Sequence, residues 1–380
     1  MAGLFLSPLP GPAVRATHGT MTYDFLIIGG GIAGTSAGAR LSHLGSVLLL
    51  EAETSLAYHA SGRSAALFEA QYGLPATVAL NLASRNYHMT ENGGVLSPRG
   101  LMFLAGPGEE ETLAQDVDDM GLHPISIDEA LALVPALNRD HLRGAAHHDE
   151  AWDLDTDLLI GNFVKEMRGN GGAVKTGQRV DAISREGALW RVSAGGESYS
   201  ARQIVNAAGA WVDGVARMAG VQPLGFTPLR RSMARMPAPG GHDPSGWPML
   251  IGAGETWYAK PDAGKWIVSP AEQDPVEEPH DAWADDMVLA EGIARYQPFV
   301  TEEVTRVDTT WAGLRTFAPD RTLVLGRDIR EPDFIWCAGQ GGYGFQTAPA
   351  ASRLLADVVA GHTPELDPAT VAALSPARFG

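Results

Sequence analysis

YDFLIIGGGIAGTSAGARLSHLGSVLLLEAE, residues Tyr23 to Glu53, decides the fold. Phe25 to Ile28 is a short unbroken apolar run, the pattern of a parallel strand buried on both faces. Gly29, Gly31 and Gly34 follow in GxGxxG spacing. The first glycine makes a tight turn, the second lets the backbone approach a pyrophosphate, and the third lets a helix pack close to the sheet. Ile32 to Leu44 continue at helical period, so the positive end of a helix faces the phosphates. Val47 to Leu50 form a second buried strand closed by Glu51, placed to accept hydrogen bonds from an adenosine ribose. Glycine turns are common in α/β proteins, but strand, helix, strand and terminal acid in register read as a dinucleotide site.

The fingerprint does not separate NAD from FAD, because both contain the same ADP half. Three later segments lean towards FAD. HASGRSAALFEAQYG (His59–Gly73) offers small residues and Arg63 to wrap a diphosphate and a flavin edge. QIVNAAGAW (Gln203–Trp211) is a buried strand running into a small-residue turn. Phe334 to Cys337 is a strand followed by AGQGGYGFQ and a helix over Tyr343–Val359. That glycine turn seats an anion at a second helix N-terminus.

The remaining chain limits the alternatives. The 380 residues, 45% hydrophobic and 19% charged, suit a globular protein that buries about three quarters of its unfolded surface without disulfides or structural metal. A single cysteine, Cys337, rules out zinc clusters and a paired-cysteine redox centre, and reads as a small core residue. A net charge of −17 repels polyphosphate, so nucleic acid is not an expected partner. No apolar run reaches membrane-spanning length. Residues 1–20 carry Pro8, Pro10 and Pro12 where a secretory signal needs an unbroken apolar run, and Met21 precedes the first strand. The segment reads as a disordered extension and the protein as cytoplasmic. The run His147, His148, Asp149, Asp153 and Asp155 lacks a helical HxxxH register, so no metal is expected.

Helices are expected over Pro75–Thr90, Glu109–Gly121, Asp155–Arg168 and Ala284–Tyr296, with a capping Asp155 or Thr156. A small meander is expected over Ala173–Val205, and strand-like runs over Pro223–Ser269.

The order GGGIAG, SGRSAA, SPR, NAAGAW, RRS, WPML, YAKPDAG, TWAGLR and GQGGYGFQT resembles the D-amino-acid oxidase and dehydrogenase group of flavoproteins. It looks most like the catabolic FAD-dependent D-arginine dehydrogenases, within a wider set that includes glycine and sarcosine oxidases. The resemblance implies a Rossmann-like α/β FAD-binding domain with a parallel sheet, assembled from 21–75, 150–225 and 315–365. A smaller α+β substrate domain with an antiparallel sheet then comes from 76–149 and 226–314. The cofactor, non-covalent FAD, is expected to contact Gly29, Gly31, Ala33, Gly34, Glu51 and Ala52. Further contacts fall to Ala60, Ser61, Gly62, Arg63, Ser64, Ala65 and Ala66, with Val180 and Gly209. Late in the chain Gly341, Gly342, Tyr343, Gly344, Phe345 and Gln346 complete the set.

An amino-acid carboxylate needs a fixed clamp, and arginine makes two parallel charge-assisted hydrogen bonds. Arg231 in PLRRSM and Arg315 in TWAGLRTF are the candidates; Arg230 and Arg231 are strand neighbours, so only one can enter a pocket. The resemblance selects Arg231, and adds Tyr258 and Tyr72 at the carboxylate, the latter on a mobile lid. Gly342 and Gln346 match positions near flavin and substrate amine, and Met249 and Ile251 wall the side-chain pocket. Two departures bear on specificity. Leu101 stands where the arginine dehydrogenases have a glutamate for the guanidinium, while Leu67 replaces a histidine and Glu69 a threonine. Either the pocket is apolar or Glu69 is the displaced acid; a lone loop glutamate is normally solvated, which favours the apolar pocket.

The implied reaction is oxidative deamination: a hydride passes from Cα of a D-amino acid to flavin N5, and the imino acid hydrolyses to a 2-oxo acid and ammonia. Rivals on the same fold are a glycine, sarcosine or proline amine oxidase, a basic D-amino-acid dehydrogenase and a 2-hydroxy-acid enzyme. A non-catalytic flavoprotein subunit would be expected to lose the arginines. The partner is a small amino-acid substrate, and the electron acceptor, oxygen or a quinone or dye, is not identified. Lys260 shares a strand face with Tyr258 and offers a cation to assist oxygen, but dehydrogenases of the group carry the same YxKPDAG pattern.

Overall fold

The computed structural model describes residues 21–380, and the expected extension over 1–20 lies outside them. Its first sheet grows from the fingerprint. Thr22–Ile28 lies between Val47–Leu50 and Glu197–Asn206, parallel to both; Ala173–Lys175 and Phe334–Ala338 extend the parallel order on either side. Alternation explains why these strands are apolar throughout. Leu26, Ile28, Leu48 and Leu50 pack beneath Trp190, Val192 and Trp336, whereas Phe25, Ile27, Val47 and Leu49 pack on Ala37, Leu41, Met167 and Leu355 of three helices. Those helices are Ile32–Leu41, Thr156–Gly169 and Gly344–Ala360. Asp155 caps the second, accepting from Leu158 N at 2.9 Å.

The meander is shorter than expected. Ala173–Lys175 pairs parallel with Leu48–Leu50, so only Val180–Glu186, Leu189–Ala194 and the first half of Glu197–Asn206 form the antiparallel meander. Val324–Arg327 completes the eight strands, antiparallel on Phe334–Ala338.

A second, nine-stranded sheet contains Thr227–Met236, Met249–Gly252, Tyr258–Asp262, Lys265–Ser269, Leu101–Ala105 and Gly144–His148. It is antiparallel except where Leu101–Ala105 runs parallel to Met249–Gly252. Thr309–Phe317 pairs along Thr227–Arg235 over its full length, so residues 315–317 belong to this sheet and the chain returns to the first sheet after them. Behind it Trp247, Trp257, Trp266, Tyr296 and Phe299 form an aromatic core. A small sheet of Leu67–Glu69, Ala151–Leu154 and Leu96–Pro98 completes the sheets. The carboxyl ends of the parallel strands thus face the second sheet, where open α/β folds hold ligands.

Candidate functional site

The turn after the central strand leaves a cavity of about 310 Å³, bordered by Gly29–Gly31, Glu51, Ala52, Val180, Gly209 and Trp211. Gly29 has φ +111°, and a Cβ there would strike the Ala207 carbonyl; a Cβ on Gly34 would strike the Gly29 carbonyl. The helix beginning at Ile32 has neither a side-chain cap nor an acid in its first turn, so its positive end is free for an anion. Ser61 Oγ accepts from Ile32 N at 3.0 Å at the edge of this cradle. The Glu51 carboxylate is buried and held by Gly30 N (2.6 Å) and Glu53 N (2.8 Å). These groups fit an ADP moiety: an acid for ribose hydroxyls, a vacant helix terminus for phosphates, and open space above Gly209.

Through Gly31, Ala60, Ser61 and Arg63 this cavity adjoins a second, of about 120 Å³. Ala33, Ser64, Gly341, Gly342, Gly344 and Phe345 border that second space, as do Arg231 and Arg315. Among the other expected cofactor contacts, Arg63 borders both cavities, whereas Gly62, Ala65, Ala66 and Tyr343 border neither. The Arg63 guanidinium is spent on the protein, donating to Ala282 O (2.8 Å), Ala312 O (2.9 Å) and Asp281 Oδ1 (2.5 Å). Gly62 is required by contact with the Ala57 carbonyl, and with Ala65 and Ala66 it opens on a separate cleft. Tyr343 packs edge-on to Tyr72, with ring centroids 5.2 Å apart.

Strand pairing positions the arginines. Leu229 pairs with Arg315 and Arg231 with Gly313, so Arg231 and Arg315 are diagonal neighbours on one face. Arg230 points away, to Asp274 at 2.8 Å. Arg231 is 4% exposed; its Nε donates to Glu272 O at 2.9 Å and its guanidinium lies 5.8 Å from the Tyr258 ring. Burial and the like charge of Arg315 lower its pKa. Arg315 packs on Gly342, where a Cβ would lie 3.0 Å from Nη1. Burial opposes its charge, but the phenols of Tyr258 and Tyr72 and the Glu255 carboxylate outweigh this and raise its pKa. Among the described residues neither arginine has an ion-pair partner, and the buried Tyr258 hydroxyl has no hydrogen-bond partner. Two cations facing one space, Arg231 buried and Arg315 half-buried, with the idle Tyr258 phenol beside Arg231, call for an anion.

The residues expected to wall a side-chain pocket, Leu67, Leu101, Met249 and Ile251, do not border the small cavity. Leu101, Met249, Ile251 and Tyr258 form one buried cluster, with Leu67 and Tyr72 packed against it. Met249, Leu101 and His148 are successive partners across three strands and share a face. Glu69 is not a solvated loop residue: it is 4% exposed, ends a strand, and its Oε2 lies 3.2 Å from His148 Nε2. Its Oε1 accepts from Gln71 N at 2.9 Å, while Oε2 and His148 Nε2 lie close without a hydrogen bond between them. Its backbone N donates to Gln346 Oε1 (2.5 Å), so that side chain ties the strand to the glycine-turn helix. The Tyr72 segment is tied to the following helix, where Asn81 Nδ2 donates to Tyr72 O (3.1 Å) and Ala70 O (3.3 Å).

Two contributors escaped sequence reasoning. Tyr72 Oη donates to Glu255 Oε2 at 3.0 Å, and burial together with that carboxylate raises the phenol's pKa. The only local signal is an acid following Gly254 just before the Tyr258 motif, at φ +56°. His88 Nε2 donates to the Gln346 carbonyl at 2.9 Å, and burial pushes its pKa down to about 4, so it is neutral. Cys337 is buried beneath the fingerprint helix, where burial pushes its thiol up to about 12. Among the described residues no cluster of three or more His, Cys, Asp or Glu could hold a metal, and no helix is long and apolar enough to cross a membrane.

The sequence profile described as "DAO: FAD dependent oxidoreductase" matches residues 24–358. L-2-hydroxyglutarate dehydrogenase of Indibacter alkaliphilus is 24% identical over 216 residues, covering 52% of this chain and 53% of that protein. The chain spans about half the length of the first two curated relatives it matches. Among solved structures, L-proline dehydrogenase from P. horikoshii superposes with a TM-score of 0.79 at 21% identity, over 95% of this chain and 98% of that one. The FAD-bound L-alpha-glycerophosphate oxidase of Mycoplasma pneumoniae gives 0.81 at 19% identity, over 92% and 97%. At these identities the superpositions speak for the fold.

Proposed function

The chain belongs to the DAO family of FAD-dependent oxidoreductases, and from that premise we propose that it carries out oxidative deamination of D-amino acids with neutral, apolar side chains. The observation that carries this reading is the pair of unpaired guanidinium groups, Arg231 and Arg315, facing one small space beside the family's cofactor cavity. FAD, when bound, supplies the acceptor for the hydride leaving the substrate carbon.

The chain's own residues bind and orient. Arg315 presents its fork to the substrate carboxylate, and Arg231, anchored through Nε on the Glu272 carbonyl, leaves its terminal nitrogens for the same anion. The Tyr258 hydroxyl donates the further hydrogen bond for which the resting protein offers no partner. Gly342 has no side chain because the Arg315 guanidinium occupies that space. With the carboxylate fixed at one end, Cα is held by orientation rather than by acid–base help, which is where positioning lowers a barrier most. The substrate ammonium loses its proton to water, and the imino acid released is hydrolysed there to a 2-oxo acid and ammonia.

The wall of Leu101, Met249, Ile251 and Leu67 supports an apolar side chain. Of the two nearby acids, Glu255 already accepts from Tyr72, and Glu69 is buried against His148. The basic-substrate alternative requires one of them to exchange its partner for the substrate. The relatives' names also include a 2-hydroxy acid and an imino acid as substrates, which the same carboxylate clamp would serve. Anaerobic bleaching of the holoenzyme with paired D and L amino acids, glycine, proline and 2-hydroxyglutarate tests the proposal. D-leucine or D-methionine should bleach fastest; bleaching by L-isomers or 2-hydroxy acids alone would overturn it.

A further inference from the structure

A third cavity, of about 830 Å³, lies on the other side of the Arg63–Ala66 segment, and nothing in the reading above uses it. Arg63 and Ser64 border both this cleft and the space that holds Arg231 and Arg315, so one short stretch of chain separates the two. Its inner end carries Lys260, only 5% exposed, whose Nζ donates to Ala65 O (2.8 Å) and Asp153 Oδ1 (2.6 Å). Asp153 is shared with Arg99, at 2.5 Å. One wall is Trp311, whose indole N–H donates to Arg63 O at 3.3 Å and whose ring packs on the substrate-pocket cluster. The Arg235 guanidinium lies 5.4 Å from that ring and pairs with Asp262, while its Nε is buried without a partner.

We propose that this cleft binds the electron acceptor and that the acceptor is a quinone. The chemistry of the walls selects the class. An indole flanked by a guanidinium offers a flat apolar face to a planar ring. The third hydrogen of the Lys260 ammonium, left over after Ala65 O and Asp153 Oδ1, suits a neutral carbonyl oxygen. Arg63, Arg99, Arg235 and Lys260 stand against Asp153, Asp155 and Asp262, so the cleft has no strong net charge to select an ion. Oxygen reduction benefits from an uncompensated cation beside the developing anion. Lys260 is not a free one, because Asp153, which it shares with Arg99, and the Ala65 carbonyl already hold its ammonium. The redox balance closes: oxidation of the amine to the imine removes two electrons and two protons, and the quinone takes up both to leave as quinol, restoring the oxidised cofactor.

The inference rests on the family's redox chemistry and not on the substrate assignment, so its test uses holoenzyme reduced with dithionite. Stopped-flow reoxidation by 2,3-dimethoxy-5-methyl-1,4-benzoquinone is compared with reoxidation by air, and calorimetric titration of oxidised holoenzyme with the same quinone measures binding directly. Thr309→Trp fills the cleft from its rim and Arg235→Gln removes the charged contact. Each should slow quinone reoxidation by about tenfold or more and weaken quinone binding in parallel. Substrate bleaching and the flavin spectrum should stay unchanged. Quinone kinetics and binding unaltered in both spectrally intact variants, or a parent that air reoxidises faster than equimolar quinone, would overturn the proposal.

Discussion

Replacing Arg315 by methionine separates binding chemistry from fold maintenance, because in the resting protein this guanidinium holds nothing together. It makes no ion pair or side-chain hydrogen bond among the described residues, and its like charge depresses the pKa of Arg231 nearby. Removing this half-buried cation relieves its desolvation but forfeits the attraction of Tyr258, Tyr72 and Glu255 that raises its pKa, and methionine fills similar volume, so the melting temperature of Arg315→Met should stay close to the parent's. Turnover should fall sharply. Truncating one partner of a desolvated carboxylate pair costs about 2–5 kcal/mol, which is about 30-fold to several thousand-fold in kcat/KM. Arg315→Lys keeps the charge but loses the planar fork, and should fall between the two. The assay is anaerobic single-turnover bleaching with D-leucine, alongside thermal unfolding of the FAD-loaded proteins. A methionine variant that binds FAD and keeps kcat/KM within about threefold would refute the clamp. One that melts well below the parent would show the guanidinium to be structural after all.

Three further outcomes follow from the same geometry. Acid precipitation should release all the FAD into the supernatant, since the only cysteine is buried with its thiol pKa pushed up to about 12; flavin retained on the chain would contradict this. Leu101→Glu places a carboxylate on the sheet row beside His148 and should move kcat/KM from D-leucine towards D-arginine, with Glu69→Gln leaving the parent's apolar preference intact. A parent that prefers D-arginine and loses it only in Glu69→Gln would reverse the assignment. Stability should fall on acidification from pH 6.5 to about 4, by about 1.4 kcal/mol per pH unit for His88 alone. The sign follows from a folded-state pKa below the unfolded one: the unfolded chain binds the extra proton in that window. Chemical denaturation at pH 7, 6 and 5 measures the slope, and the same slope in His88→Gln would remove His88 as its source.

The nucleotide end was legible because its parts are contiguous. Strand, glycine turn, helix, strand and acid all lie within Tyr23–Glu53, and each glycine's role is set by atoms a few residues away or by the adjacent strand end. Period-two alternation likewise separated Arg230 from Arg231 without any tertiary knowledge. What sequence reasoning missed depends on partners far along the chain. Small residues around Arg63 say nothing of the carbonyls of Ala282 and Ala312, which take its guanidinium at the edge of both cavities. Ala173–Lys175 looked like the first strand of a meander, yet its alternating pattern cannot say that Leu48–Leu50 offers a free parallel edge.

The same limit governs specificity, and it changes how the departure at Leu101 should be understood. Considered along the chain, a lost acid at 101 and an acid at 69 are separate substitutions. In the fold they meet at one residue: Leu101 pairs across the sheet with His148, and His148 Nε2 faces Glu69. An acid at 101 and an acid at 69 would therefore compete for the same imidazole. With Leu101 present, Glu69 sits in the wall at 4% exposure with Oε2 3.2 Å from the imidazole, a contact without hydrogen-bond geometry, out of reach of a solvated cation unless that contact is broken. Breaking it leaves a buried histidine facing a cationic substrate, an arrangement that costs more than the apolar alternative. The proposed apolar pocket thus rests on three residues from three strands, Leu101, His148 and Glu69, and the substitutions at 69 and 101 should be non-additive when combined.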